Sequence, residues 1–478
     1  MDRQHRDVIL YELNEVPWDV VEIYVNGRPE SHIATLLREG QSLTTVHEDR
    51  EEHQGLQPWR TWPTLHMSTY DHNSFDLGQD PTTFRGEPIW DVAEKAGLSV
   101  GVFGPMQSWP ARQFRHGGFY IPDTFSRDAK TFPPTLESFQ SFNLAMTGEN
   151  GFSPDAAMHP KALAATAAAL VRQGLTPRSM ATLGTHLVKE RVDPRYKAFR
   201  SAMQAPLSFD LFWKLHRTHQ PRLSVFFTNH VAGMMHRFWG DSMPGYTERF
   251  EYTSDEVYGS FIIAAMDIAD RQIGRIRKYL AKNPNSMLVV SASMGQGPVA
   301  VPELSDHMHV VEDYTLLAES LGLRPLGPGL AMYPMVSLVF DTEDDARAAG
   351  PPLESVSVEG KGPLFARIRV EGKTVTFGID YMLGCDDTAM LRFRPGNGES
   401  GEVVAPPEKL GLARQPRIGG INTGYHIPEG ILIAAGAGIA PDPSRKEVDV
   451  LDVAPSLLAN ALGVEPAASM QGIPSLFA

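Results

Sequence analysis

Asn14, Asn229, Ser293 and Asn422 all fall just beyond, or just before, short apolar runs, and each brings a second polar residue with it. Glu12 and Glu15 flank Asn14, His230 and His236 follow Asn229, Gln296 follows Ser293, and His426 follows Asn422. Amides donate hydrogen bonds to anions, imidazoles move protons or bind divalent cations, and carboxylates balance a cation's charge. Taken singly, an Asn at a strand end reads as a turn former, and a lone His as a satisfied polar residue. Their arrival at four strand ends is what marks a site. A second cluster, "QPWRTWPTLHMSTYDHNSF" over 57–75, carries Arg60, Thr61, Thr64, His66 and Ser68 among aromatic residues. A hydroxyl there needs a base or a metal to become a nucleophile, and His66 or a bound ion would supply it.

The elements that must position these residues are short and alternate in kind. "VILYEL" (8–13), "SVGVFG" (99–104), "LSVFFT" (223–228), "SMLVVSAS" (286–293) and "GILIAAG" (430–436) read as buried strands, because they are nearly continuously hydrophobic. Helical patterns at 31–40, 89–98, 254–283 and 448–464 separate or follow them, which predicts βαβ units around a mainly parallel sheet. In such sheets ligands bind beyond the carboxyl ends of the strands, where the polar residues gather. Residues 1–130, 221–329 and 411–478 form the expected α/β core. Residues 131–220 read as a helical insertion or cap, and 330–410 as a small β-rich insertion.

Composition narrows the functional classes. The chain has 478 residues, 42% of them apolar and 21% charged, with a net charge of -14 and one cysteine, Cys385. The negative charge argues against nucleic-acid binding and against a polybasic membrane anchor. A single cysteine excludes an intrachain disulfide and a zinc knuckle, so any metal is held by His, Asp, Glu or Asn. The charged N-terminus is unlike a signal peptide, and "GILIAAGAGIA" is too short to span a bilayer. The expectation is a soluble, cytoplasmic protein with a small anionic substrate.

The order of these pieces resembles the alkaline phosphatase superfamily, and within it the type I phosphodiesterase/nucleotide pyrophosphatase branch. The resemblance covers nearly the whole chain. It rests on the opening strand followed by Trp18 and Asp19, on "GEPIWDVAEKAGLSVGVFGPM", on "FFTNHVAGMMHRFW", and on "GYHIPEGILIAAGAGI" followed by "VDVLDVAPSLL". It implies a three-layer α/β/α sandwich and a hydrolase of phosphate or sulfate esters, most directly a phosphodiesterase. Family members hold two metal ions through Asp and His, beside a Thr or Ser nucleophile. Mapped onto this chain, the first Asp falls on Asn14, the middle Asp on Asn229, and the late Asp-His pair on Ala292 and Ser293. His236 and His426 keep the family's residue type as metal ligands, and Thr61, with Thr64 as the alternative, lies in the nucleophile's loop.

Two divalent cations about 4 Å apart need anionic ligands to offset their repulsion, and the mapped positions are neutral. The mapping therefore points to one divalent ion (zinc, manganese or magnesium) on His236 and His426 with Asn14 or Asn229 assisting, or to none. Replacement charge has two sources in the sequence. One is Glu12 or Glu15, although strand alternation argues against both pointing inward. The other is Asp306, His307 and His309 in "LSDHMHV". Two further readings stay open: a metal-independent transferase or lyase using Asn14, Asn229, Ser293 and Gln296 with His66, His230 or His236 as acid or base, and a non-catalytic protein on the same fold.

Overall fold

The computed structural model describes residues 5–48, 56–72, 75, 77, 80–150, 170–329, 331, 335–395, 401–417 and 420–477. Parts of the expected insertions, 151–169, 330, 332–334 and 396–400, lie outside the described residues. The strands that position the site are β1 (Asp7–Leu13), β2 (Gln41–Val46), β3 (Val100–Phe103), β4 (Gly118–Ile121), β5 (Leu223–Thr228), β6 (Ser286–Ser291), β7 (Gly295–Pro298), β8 (Gly424–Ile427), β9 (Glu429–Gly436) and β10 (Asp442–Asp449). Eight of them form one sheet in the order β10-β2-β9-β6-β1-β5-β3-β4. Within it only β9 runs against its neighbours, β6 and β2. The remaining pairings are parallel.

β1 sits in the middle because it is apolar on both faces. Ile9, Tyr11 and Leu13 enter one core and Val8 and Leu10 the other. The first core is covered by helices α1 (Trp18–Gly27), α2 (His32–Glu39), α5 (Gln204–His219), α6 (His230–Ser242) and α7 (Phe261–Leu280). The second is covered by α3 (Pro58–Met67), α4 (Ile89–Lys95) and the helical turns over Val450–Asp452, Val453–Ser456 and Leu457–Leu462. The result is a three-layer α/β/α sandwich around a mainly parallel sheet.

Three sheet strands escape hydrophobic periodicity: the Ser- and Thr-bearing β2, the four-residue β4, and β10, which is polar on an exposed edge. The expected helix over 448–464 begins two residues late. Val448 and Asp449 pair with Thr45 and Val46 as the end of β10, and helical turns start only at Val450. The 131–220 segment contributes α5 to the sheet's own core, where Phe209 and Phe212 meet Phe226 of β5 at centroid distances of 5.4 and 4.7 Å. The antiparallel strands of the 330–410 region enclose a separate hydrophobic cluster, which runs from Val311 to Leu412.

Phe226 joins β5 to Tyr11, Phe103, Phe209 and Phe212. Phe226→Ala is expected to cost about 3–5 kcal/mol of stability through the cavity it leaves. Urea denaturation of wild type and variant measures it, and a loss below about 1 kcal/mol would show that α5 does not depend on this cluster.

Candidate metal centre

β1 ends at Leu13, and the chain then turns sharply. Glu15 has φ +60°, a left-handed conformation uncommon for a non-glycine residue, and it lies beyond the strand, where alternation no longer decides which way a side chain points. Its carboxylate is almost fully buried, at 2% exposure. His236 Nε2 lies 3.0 Å from Glu15 Oε2, and His426 Nε2 lies 3.4 Å from the same oxygen. Gln296 Nε2 also donates to Oε2, while Asn14 Nδ2 donates to Oε1 at 2.8 Å.

Three elements converge to make this arrangement. His236 sits on α6, which starts directly after β5. His426 and Gln296 face each other across the antiparallel β7/β8 pair, so they share one side of it. Each imidazole is held by its other nitrogen: His236 Nδ1 donates to the Gly424 carbonyl at 3.1 Å, and His426 Nδ1 donates to the Leu56 carbonyl at 2.6 Å. These backbone acceptors hold the Nδ1 protons and direct both Nε2 atoms at Glu15, the orientation that a metal-binding histidine takes. Burial alone would raise the Glu15 carboxyl, yet the charges of His426 and His236 and the His236 hydrogen bond hold it well below its ordinary value. Burial works to lower His236, and the Glu15 carboxylate outweighs it, so this imidazole titrates above 6.5.

Among the described residues, Glu15, His236 and His426 are the one group of three carboxylate, imidazole or thiol ligands with donor atoms within 4.8 Å of one another. Two neutral nitrogens and one anionic oxygen suit a single divalent cation with open positions for water or substrate. The buried His426 Nε2 and Gln296 Oε1 make no hydrogen bond among the described residues, which suits a cation's coordination sphere. Among the described residues the neighbouring side chains offer no second set of ligands. Asn14 turns both amide hydrogens to acceptors, Glu15 Oε1 and Asn229 Oδ1 (2.6 Å), and its oxygen accepts from Trp62 Nε1 at 2.7 Å. Ala292 offers no side-chain donor, and Ser293 Oγ is 2.7 Å from Thr61 Oγ1.

The other candidates separate. Thr61 stands in the first turn of α3, fully buried against Ser293, next to the Trp62 that anchors Asn14. Thr64 Oγ1 gives its hydrogen bond to the Arg60 carbonyl of its own helix. His66 pairs with Glu12 at 2.5 Å beneath α3. Glu12 and Glu15 thus serve different partners on different sides of β1. Asn229 is exposed at the start of α6, and no described residue engages its Nδ2. His230 is tied to Thr228 Oγ1 and the Ala265 carbonyl, and burial lowers it to about 3, so it is a structural imidazole. Asp306 and His307 pair with each other at 2.7 Å, and His309 is buried opposite Arg414 on the ribbon formed by His307–Val311 and Leu412–Pro416. They lie outside the three-ligand group.

No protein-family model matches the chain, and no curated protein matches it. Among solved structures, the chain is similar to human ectonucleotide pyrophosphatase/phosphodiesterase 5 at 12% identity and TM-score 0.37, over 97% of this chain and 96% of that one. The murine protein of the same name aligns at 11% identity and TM-score 0.36, with the same coverage. Wild-type alkaline phosphatase PafA aligns at 12% identity and TM-score 0.43, over 98% of both chains.

Titration of chelator-treated protein with zinc is expected to reach one ion per chain, with Glu15→Gln weakening binding by more than about 100-fold. Two ions per chain in wild type, or unchanged affinity in the variant, would contradict this ligand set. Without metal, the raised His236 makes its pairing with Glu15 fully stabilising below pH 6.5 and lost as pH rises through its folded value. The lowered Glu15 makes that contribution complete above pH 4.5 and lost as pH falls through its own folded value. Metal-free protein is therefore expected to gain most from the pair between pH 4.5 and 6.5. Zinc affinity runs the other way and rises as His236 loses its proton. Melting temperatures with and without zinc across pH check both trends, and a pH-independent zinc affinity would refute them.

Proposed function

We propose that the chain is a hydrolase of phosphate or sulfate esters, phosphodiesters foremost, working with one divalent cation held by Glu15, His236 and His426. The observation that carries this reading is the pair of imidazole Nε2 atoms directed at one buried carboxylate, with both Nδ1 protons fixed on backbone carbonyls. When bound, a divalent cation supplies Lewis-acid polarisation of the ester oxygen.

The chain's own groups do the rest. Thr61 Oγ1, positioned by Ser293 Oγ, attacks phosphorus and forms an ester to the enzyme as the alcohol departs, and water then cleaves that ester. Its place in the first turn of α3 puts the developing negative charge at the positive end of a helix. Asn229, whose Oδ1 is fixed by Asn14, has its amide hydrogens available for a non-bridging oxygen. Trp62 locks the Asn14 amide, so the amide cannot flip and present its oxygen to the substrate.

Zinc-reconstituted protein is expected to hydrolyse bis(p-nitrophenyl) phosphate, to lose that activity to a chelator, and to regain it with about one equivalent of zinc, manganese or magnesium. Thr61→Ala should lower kcat by about 100-fold or more with metal binding unchanged. Full activity in chelator would favour the metal-independent transferase or lyase reading. A Thr61→Ala enzyme as fast as wild type would remove Thr61 as nucleophile.

A further inference from the structure

A cleft of about 400 Å³ opens between α5, α7 and the loop ahead of the helix Pro177–Val192. It is separate from the candidate metal centre. α5 leads into the amino end of β5 and α7 into that of β6, whereas Glu15 and His236 lie beyond the carboxyl ends of β1 and β5. Asp210, Lys214 and Arg217 line the cleft at four- and three-residue spacing, so they share one side of α5. Gly174 of the loop and Arg275 of α7 line it from the other elements.

The lining holds three cations against one carboxylate, and that carboxylate is already engaged. Asp210 is almost fully buried. Its Oδ2 accepts from the Thr176 backbone at 2.9 Å and from Thr176 Oγ1 at 2.8 Å, and its Oδ1 receives Arg275 Nη1. Arg275 is thereby balanced, and its guanidinium lies over the Phe209 ring at 5.0 Å. Among the described residues no carboxylate pairs with Lys214 or Arg217, which are both exposed. Lys214 Nζ donates to the neutral Arg172 carbonyl at 3.1 Å, which leaves it two further N–H donors. Two like charges three residues apart on one helix repel each other. The lysine is nevertheless held there by shape. Gly174 has φ +127°, and a Cβ at this position would lie 2.5 Å from Lys214 Cδ, so the loop has room for the lysine stem only because it carries glycine. In a chain of net charge -14, the cleft concentrates positive charge and fixes part of it in place. Trp213 stacks with Phe209 and His216 at centroid distances of 5.7 and 5.2 Å, so its ring is occupied within the protein, and charge selects the ligand.

We infer that this cleft is an anion site that takes a phosphate group carrying two negative charges, as free phosphate or as the end of a phosphate monoester. Arg217 offers it a planar fork of donors and Lys214 a compact charge already oriented by the loop. The inference does not rest on the ester-hydrolase reading, because no residue of the cleft belongs to the metal centre.

Inorganic phosphate titrated calorimetrically into zinc-loaded wild type and into the Lys214→Met/Arg217→Met double variant tests it. Both side chains are exposed, so the variant is expected to keep its fold and its zinc stoichiometry. Wild type is expected to bind about one more phosphate per chain than the variant, or to bind it about 10-fold or more tightly. Any phosphate held at the metal centre persists in the variant, so the difference belongs to the cleft whether or not that centre acts as a hydrolase. The charge-keeping exchange Lys214→Arg/Arg217→Lys should retain the extra binding. Co-sedimentation with phosphatidylcholine vesicles carrying phosphatidic acid, lost in the double variant, would assign the phosphate to a lipid headgroup. Extra phosphate binding without co-sedimentation assigns it to a soluble ligand. Wild type and double variant alike in both assays overturn the site.

Discussion

A carboxylate buried at 2% exposure has to be matched by opposite charge or by hydrogen bonds, and Glu15 imposes that requirement on everything around it. Four side chains from four parts of the chain meet it: Asn14 from the same turn, His236 from α6, Gln296 from β7 and His426 from β8. The turn that presents it has φ +60°, a conformation that costs free energy and persists only where the surroundings fix it. Those surroundings are β5 and β6 on either side of β1, in register along nearly its whole length. The sheet thus holds the turn, the turn holds the carboxylate, and the carboxylate collects the ligands.

Helix α3 is fitted to the same rim from the other layer. Thr61 bonds to Ser293 after β6, Trp62 to Asn14 after β1, and His66 to Glu12 within β1. These contacts lie on one side of the helix, so its first turn is registered against two strand ends at once. Trp62 also stacks on His66 at 5.6 Å, and His66 meets Trp90 edge-on at 4.8 Å, which keeps the Glu12–His66 pair dry. The pair takes no part in the metal group, but it helps to set the position of Thr61.

The amides of Asn14 and Asn229 do more at this rim than leave it uncharged. An amide has donors where a carboxylate has only acceptors, and Asn14 uses both of its hydrogens to bind Glu15 and Asn229. Asn14 is thereby a hydrogen-bonded strut between the Glu15 carboxylate and Asn229.

The sequence by itself determined the layers and the rim. Continuous apolarity in β1, β5 and β6 requires burial on both faces, which only a central parallel sheet flanked by helices provides, and polar residues at successive strand ends must then share one edge. β2, β4 and β10 were not legible, because an edge strand or a very short one carries little hydrophobic periodicity. The family resemblance pointed to His236 and His426 as candidate ligands, whereas nothing in the sequence chose Glu15 over Glu12 as the accompanying charge. Alternation governs a residue inside a strand, and Glu15 is outside it, in a left-handed turn whose direction depends on the neighbouring strands. Thr64 stood as the alternative to Thr61, and His66 as a base for either, for a similar reason: which side of a helix meets the site is a matter of docking angle, and spacing along the chain does not contain it. Only the tertiary structure decided that one carboxylate faces two fixed imidazoles, because that convergence joins residues more than 400 positions apart.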